Sequence, residues 1–330
     1  MLRPLLIAIC VVALGTTAFG ATLKVPQQYD TIQDAVDAAG NGDTIVVKKG
    51  IYTEAVEVSF LEDVTLKAAG KVVIDGEGVR EGIQVGFVTN VRILGFSIQN
   101  AAGMGIRVTG VEGVRISKCH IDGATSAGIL LQSSREVRID RCRISNTEEQ
   151  GIALVDKVGN PASMNCVVEK CRIENSGSTG IQLQSGKGHR AGKNRVENAD
   201  NDGILITADL SVCAKNRVRG TRWSCIRTDA DAVVVEKNRV ESARGHGIEV
   251  HGEDGHIAKN RIKSVHYGIV ITGNGNRIEK NRVADAIQGF EIQAGGNEIV
   301  GNRVKDTPTP VFDTHVFDNL YEKNNFEPLM

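Results

Sequence analysis

The sequence is poor in rings and in proline: aromatics make up 4% of its 330 residues, with a single Trp, and there are 6 Pro. So few rings exclude a pocket walled by aromatics. Few prolines beside 41% hydrophobic residues exclude a disordered chain. Charge of one sign is also missing, since 39 Lys+Arg stand against 40 Asp+Glu. That balance removes bulk attraction to nucleic acid, and no nucleic-acid partner is expected. No segment after residue 21 is apolar enough to span a membrane. Cys-x-x-Cys spacing is absent as well, and no metal-ligand set is predicted. What the chain has in excess is Gly, 37 residues, together with Val, Ile, Leu and Ala. That composition suits a thin, repetitive β core.

Residues 1–20 have the three parts of a secretory signal: Arg3, an apolar run from Leu5 to Leu14, and small residues ending Ala18-Phe19-Gly20. Cleavage after Gly20 is expected, with retention as an anchor the alternative. The predicted localisation is therefore secreted, periplasmic or cell surface.

Self-similarity dominates the rest. A phrase of basic residue, Asn or Cys, Arg, and Val or Ile recurs at Lys118-Cys119, Arg141-Cys142, Lys170-Cys171, Lys193-Asn194, Lys215-Asn216, Lys237-Asn238, Lys259-Asn260 and Lys280-Asn281, and continues at Gly301-Asn302. Its spacing is 21 to 23 residues, except for 29 between Cys142 and Cys171, where residues 156–163 must bulge out. A second phrase, Gly-Ile, follows each copy in constant register: Gly105, Gly128, Gly151, Gly180, Gly203, Gly247 and Gly268, with Cys225 in place of one Gly. A third alternating run, such as Val233-x-Val235, precedes each copy. Each period thus holds three short strands with period-2 alternation. A unit of about 22 residues that cannot bury its own apolar face must stack on copies of itself, as a solenoid with three parallel sheets. Asn is expected to take the left-handed backbone at the turns and to stack its amides from coil to coil.

This pattern resembles the right-handed parallel β-helix proteins, the pectate lyase-like and NosD-like superfamily, over residues 22–326. Thr31-Ile32-Gln33-Asp34-Ala35-Val36, Gly42-Asp43-Thr44-Ile45 and Gly50-Ile51-Tyr52-Thr53-Glu54 look like the start of pectin methylesterase-like members. The predicted fold is all-β, a single-stranded right-handed parallel β-helix of about eleven coils with a short N-terminal capping helix. Asp30 is the expected N-cap of that helix, with Gln33 three residues later. The expected divisions are 21–80 for the N-terminal cap and first coils, 81–306 for the repeats, and 307–330 for a C-terminal cap. That last segment has Pro308 and Pro310 breaking the pattern, with Phe312, Phe317, Tyr321 and Phe326 concentrated there.

The six cysteines after the signal, Cys119, Cys142, Cys166, Cys171, Cys213 and Cys225, fall at inward or ladder positions and read as small buried side chains. A bridge among Cys119, Cys142 and Cys171 stays open. The Arg and the preceding basic residue of each phrase should point outward and form two basic rows, 17 of the 39 cations on one edge. Those rows read as a solvated face neutralised by Glu169, Glu197, Glu236, Glu241 and Glu279, or as a rail for an anionic polymer.

Outward residues of the Gly-Ile sheet are bland in early coils and change character later. Asp202, Ser224, Arg227, Asp229, His246, Glu249, His251, Tyr267, Glu291 and Gln293 gather on one face. Arg227, Asp229, His246, Glu249 and His251 are the candidate catalytic residues, and Asp202, Tyr267, Glu291 and Gln293 the candidate substrate-binding ones. Asp229 and Glu249, a diagonal pair about 8 Å apart at Cα, have the separation of an inverting glycosidase's acid and base. Alternatively Arg227 would neutralise a uronate carboxylate while His246, His251 or Tyr267 moves the proton. The family's enzymes place their cleft on such an outer face. The resemblance implies a protein that binds or processes polysaccharide, as a lyase, hydrolase or epimerase of acidic glycans, with a non-catalytic carbohydrate-binding or envelope module as the alternative. The family's enzyme signatures, Asp-Pro-His-Asp and Gly-His-Gly with Asp partners among them, are absent. Calcium is a candidate cofactor near Asp229, Asp231, Glu253 and Asp254, the partner is a polysaccharide, and a monomer is expected.

Overall fold

The computed structural model describes residues 20–156, 159, 161–315 and 318–328. The expected signal lies outside them, as does Phe317. Apart from one short helix the described chain is strand and turn, and every strand pairing is parallel. It is a right-handed β-solenoid of about 14 turns. Eleven were expected because the phrases that mark a coil are missing at both ends. At the N-terminus, Thr22–Val25, Thr44–Tyr52 and Thr65–Asp75 pair in register without them. At the other end the expected cap is built from strands: Thr309–Asp313 pairs with the end of Arg282–Ile292, and Asn325–Pro328 with Arg303–Thr307. Pro308 precedes the strand Thr309–Asp313 and Pro310 lies within it, and neither ends the stack; Phe326 packs on Phe290 at 5.8 Å between ring centroids.

Three inward columns make the core. Ile83, Ile106, Ile129, Ile152, Ile181, Ile204, Ile226, Ile248 and Ile269 follow one another in register on the Gly-Ile face, all fully buried. Equal side chains at a spacing of about 4.8 Å fit one rotamer to the next, so the repeat fills space without aromatics. The Gly before each Ile is also dictated by packing. A Cβ on Gly128 would lie 2.4 Å from Ile144 Cγ2 and 2.7 Å from the Gly151 carbonyl.

Two expectations about turns change. The helix Ile32–Asp37 buries Ile32, Ala35 and Val36 on the open end, as its apolar face requires, but its N-cap is Thr31, whose Oγ1 accepts from Asp34 N at 3.0 Å. The Glu54 carboxylate accepts from the free Ile32 and Gln33 N–H groups, each at 3.0 Å, tying the helix to the first coils. The left-handed residue at the repeat's turn is the lysine, not the Asn: Lys118, Lys170, Lys193, Lys215, Lys237, Lys259 and Lys280 have φ between 53° and 60°. Asn is needed inside. Asn216 N donates to Asn238 Oδ1 at 2.8 Å, Asn238 N to Asn260 Oδ1 at 2.9 Å, and the ladder continues through Asn281 and Asn302. Each amide also donates inward, as Asn238 Nδ2 does to Cys213 O at 2.9 Å. The turn therefore falls on the residue before.

All six cysteines are buried and free. Burial pushes three of the thiols up, to about 11 at Cys166 and about 12 at Cys213 and Cys225, which leaves those three unreactive at neutral pH.

Candidate functional site

On the outer side of the Gly-Ile face, register sets three columns side by side. His246, Tyr267 and Gln288 are Cα partners in the first, and Leu205, Arg227, Glu249, Val270 and Glu291 in the second. Asp229, His251, Thr272 and Gln293 end their strands in the third, each N–H donating to the coil before. Strand alternation turns these side chains out because their neighbours Ile248 and Val250 fill the core.

Glu249 is the centre, with its side chain 14% exposed. An ionised carboxylate only accepts hydrogen bonds, and this one is surrounded by donors: Ser224 Oγ at 2.6 Å and His246 Nδ1 at 3.0 Å on Oε2, and His251 Nε2 at 2.9 Å on Oε1. Burial alone would raise the Glu249 carboxyl, but the bonds from His246, Ser224 and His251 outweigh it and bring it down to about 2. His251 Nδ1 accepts from Thr272 Oγ1 at 2.7 Å, so both its nitrogens are engaged. His246 differs. With Nδ1 spent on Glu249, its Nε2 has no protein partner among the described residues, and its ring meets Tyr267 edge to face at 5.2 Å. Arg227 Nε donates to Asp229 Oδ1 at 2.9 Å, and its terminal nitrogens make no protein contact among the described residues.

The five candidate catalytic residues are thus brought together. Tyr267 joins them, whereas Glu291 lies two coil steps from Glu249, about 10 Å, beyond buried Val270, and is held by Gln288 and Gln293. Asp202 is not on the outer surface as expected. It is 3% exposed, and its Oδ1 accepts from Ser224 N at 3.0 Å. The column before the Gly turns into the corner, which also buries Ser224. Burial pushes the Asp202 carboxyl up, against the pull of the Ser224 N–H and Arg227. In the expected acid–base pair, Asp229 accepts from Arg227 and Glu249 is held ionised by its three donors, which removes Glu249 as the acid. Asp156, where the insertion begins, accepts from Ser133 N and from Ser163 at Ile152's level, four coil steps and about 19 Å from Ile248.

The calcium expectation meets carboxylates already in use. Asp231 N donates to Asp209 Oδ1 at 3.0 Å and Glu253 N to Asp231 Oδ1 at 2.8 Å, a ladder that ties turns together. Among the described residues, no three His, Cys, Asp or Glu side chains converge to hold a metal ion.

The same face carries aromatics that sequence reasoning missed. Phe60 and Phe87, 79% and 64% exposed, stack in parallel at 5.5 Å on turns leaving the strands Val56–Ser59 and Ile83–Gly86. Both are left-handed, φ 56° and 53°, an outlying conformation for a bulky residue. They border a recess with Glu57, Gln84, Arg107 and Thr109. Trp223, 60% exposed, stands on the turn into Ser224. The only signal in the sequence was the rarity of such rings.

The parallel strand register and the three stacked columns define a right-handed parallel β-helix. The chain belongs to the right-handed β-helix family, whose model matches residues 50–218. Residues 165–327 also match the family described as periplasmic copper-binding protein (NosD). Similar solved structures include the A-module of an Azotobacter vinelandii mannuronan C-5 epimerase, TM-score 0.75 at 13% identity, covering 89% of this chain and 93% of that one. The catalytic domain of a GH87 α-1,3-glucanase in complex with nigerose has TM-score 0.72 at 14% identity, covering 94% and 70%. A surface adhesin of Streptococcus pneumoniae has 0.68 at 13%, covering 93% and 91%. These likenesses establish the fold. No curated protein matches the sequence. The described residues do not fit the copper in the NosD description: no three His, Cys, Asp or Glu side chains converge among them, and the cysteines are buried in the core.

Proposed function

We propose that the chain is exported and processes an acidic polysaccharide along its Gly-Ile face by moving the proton alpha to a sugar carboxylate. The observation that carries this is the Glu249 carboxylate fixing His246 by Nδ1, which leaves the Nε2 lone pair unpartnered. A base oriented by a buried carboxylate is the arrangement general-base catalysis requires, and Glu249 would stabilise the imidazolium that forms. Arg227's free nitrogens would neutralise the sugar carboxylate as charge develops on it. Expulsion of the neighbouring glycosidic oxygen then gives an unsaturated end, and return of a proton to the opposite face gives the epimer. Hydrolysis is disfavoured because Glu249 is held as an anion by its three donors and cannot serve as the acid. Phe60, Phe87 and Trp223 offer flat apolar surfaces for sugar rings on either side.

The test incubates the purified protein with polyuronates and neutral glycans in D2O, reading deuterium uptake at the α-carbon, absorbance of unsaturated products and reducing ends. Uptake by a polyuronate that falls at least 100-fold in His246→Ala and Glu249→Gln is expected. Retention of the glycan on a column with no uptake in any variant would make the face a binding surface and overturn catalysis.

A further inference from the structure

The arginine column on the Asn-Arg face is in register from Arg143 through Arg172, Arg195, Arg217, Arg239, Arg261 and Arg282 to Arg303. Beside it runs a second outward column, two residues later in each coil. Through the middle of the molecule, with Arg219 the exception, that column supplies counter-charge: Glu174 to Arg143 at 3.2 Å, Glu197 to Arg195 at 2.8 Å, and Glu241 to Arg217 at 3.6 Å. In the last three coils the same position becomes Lys263, Ala284 and Lys305, while the arginines continue. Among the described residues, Lys259, Arg261 and Arg282 make no ion pair. Duplication of a self-neutralising repeat does not explain this, since it is the neutralising position that changed.

A second feature coincides with the first. The left-handed turn position holds Lys259 and Lys280 and then Gly301, φ 63°, so a side chain is missing from the column. A recess of about 450 Å³ opens there, lined by Lys259, Arg261, Lys280, Arg282, Arg303 and Gly301. Lys280 and Arg303 pair with Glu279 at 3.8 Å and Glu327 at 3.6 Å, but Lys259, Arg261 and Arg282 have no such partner among the described residues, and like charges around an open recess repel one another unless an anion is bound. The guanidinium forks match carboxylates bidentately, and their spacing of about 4.8 Å along the axis repeats from coil to coil. No aromatic ring lines the recess to stack a base, which disfavours a nucleic acid.

We infer that the recess over the last three coils is a second site, separate from the Glu249 cluster, that holds the carboxylates of a polyuronate chain. It rests on the acidic-glycan reading only for the kind of polymer, not for catalysis.

The experiment measures binding of the full chain to polygalacturonate, dextran, dextran sulfate and single-stranded DNA by calorimetry at two salt concentrations. Three proteins are compared: wild type, Arg261→Ser/Arg282→Ser, and Gly301→Lys. The last follows the chain's own pattern at this turn, fills the recess and adds a positive charge. Polygalacturonate should bind more weakly by at least tenfold in both variants, and dextran should not bind. Unchanged binding in the double variant would overturn the inference. Tighter binding in Gly301→Lys would also overturn it, reducing the site to a diffuse positive field, as would preference for dextran sulfate or DNA over the uronate. Uronate binding that weakens in both variants, with no turnover by wild type, would overturn the proposed activity while supporting the recess.

Discussion

Glu249 shows how one side chain couples the site to stability. Its carboxyl is depressed in the folded chain to about 2 from an ordinary value of 4.5. The contribution is therefore fully present above pH 4.5 and is lost as pH falls toward 2, on the order of 3 kcal/mol in all. Glu249→Gln, which cannot ionise, should show a flatter melting temperature between pH 6 and pH 3 than wild type by calorimetry. Parallel curves would mean that the three donors do not hold the anion. At this scale the sequence was partly legible. It placed Arg227, Asp229, His246, Glu249 and His251 on one face through period-2 alternation. It could not show that Glu249 takes bonds from both histidines, or that Asp202 lies inside, because rim residues turn with the corner of the coil and not with the strand. Phe60 and Phe87 were illegible for a related reason, since nothing in a lone Phe reports a left-handed backbone.

Among elements, the Asn ladder is the most tightly specified. Asn238 is buried and serves two coils, accepting from Asn216 N and donating to Cys213 O. Asn238→Ala would leave a buried donor and a buried acceptor unpaired, each costing about 1–3 kcal/mol. Urea unfolding should show a loss of about 3 kcal/mol with unchanged slope, whereas substituting the solvent-facing Lys237 by Ala should cost little. Equal losses would place the ladder's value in the turn and not in the amide. The repeat phrase announced this element plainly, and the error lay in assigning the turn to the wrong one of two adjacent residues. An Asn in the left-handed region is the ordinary expectation. Here its side chain is required inward, and the lysine before it adopts the turn.

At the scale of the molecule, each coil touches only its neighbours, so stability is close to a sum of coils and their interfaces. Coil count was the least legible quantity, because the end coils keep the geometry and lose the phrases. Removing residues 106–128, which joins Gly105 to Ile129, deletes one full period, since Ile106 and Ile129 are register partners. The shortened protein should fold with its β-sheet circular dichroism and Glu249 cluster intact. An unfolded product would show that coils are not interchangeable units.

That interchangeability gives the paired rings of Phe60 and Phe87 a meaning beyond contact. Seven coil steps separate Ile83 from Ile248, so the stacked rings and His246 are held about 34 Å apart by a rod that cannot stretch. The protein is in effect a ruler graduated in strands. On the activity proposed above, an oligosaccharide would have to reach a threshold length before it touched both marks, and shortening the rod by one graduation should lower that threshold.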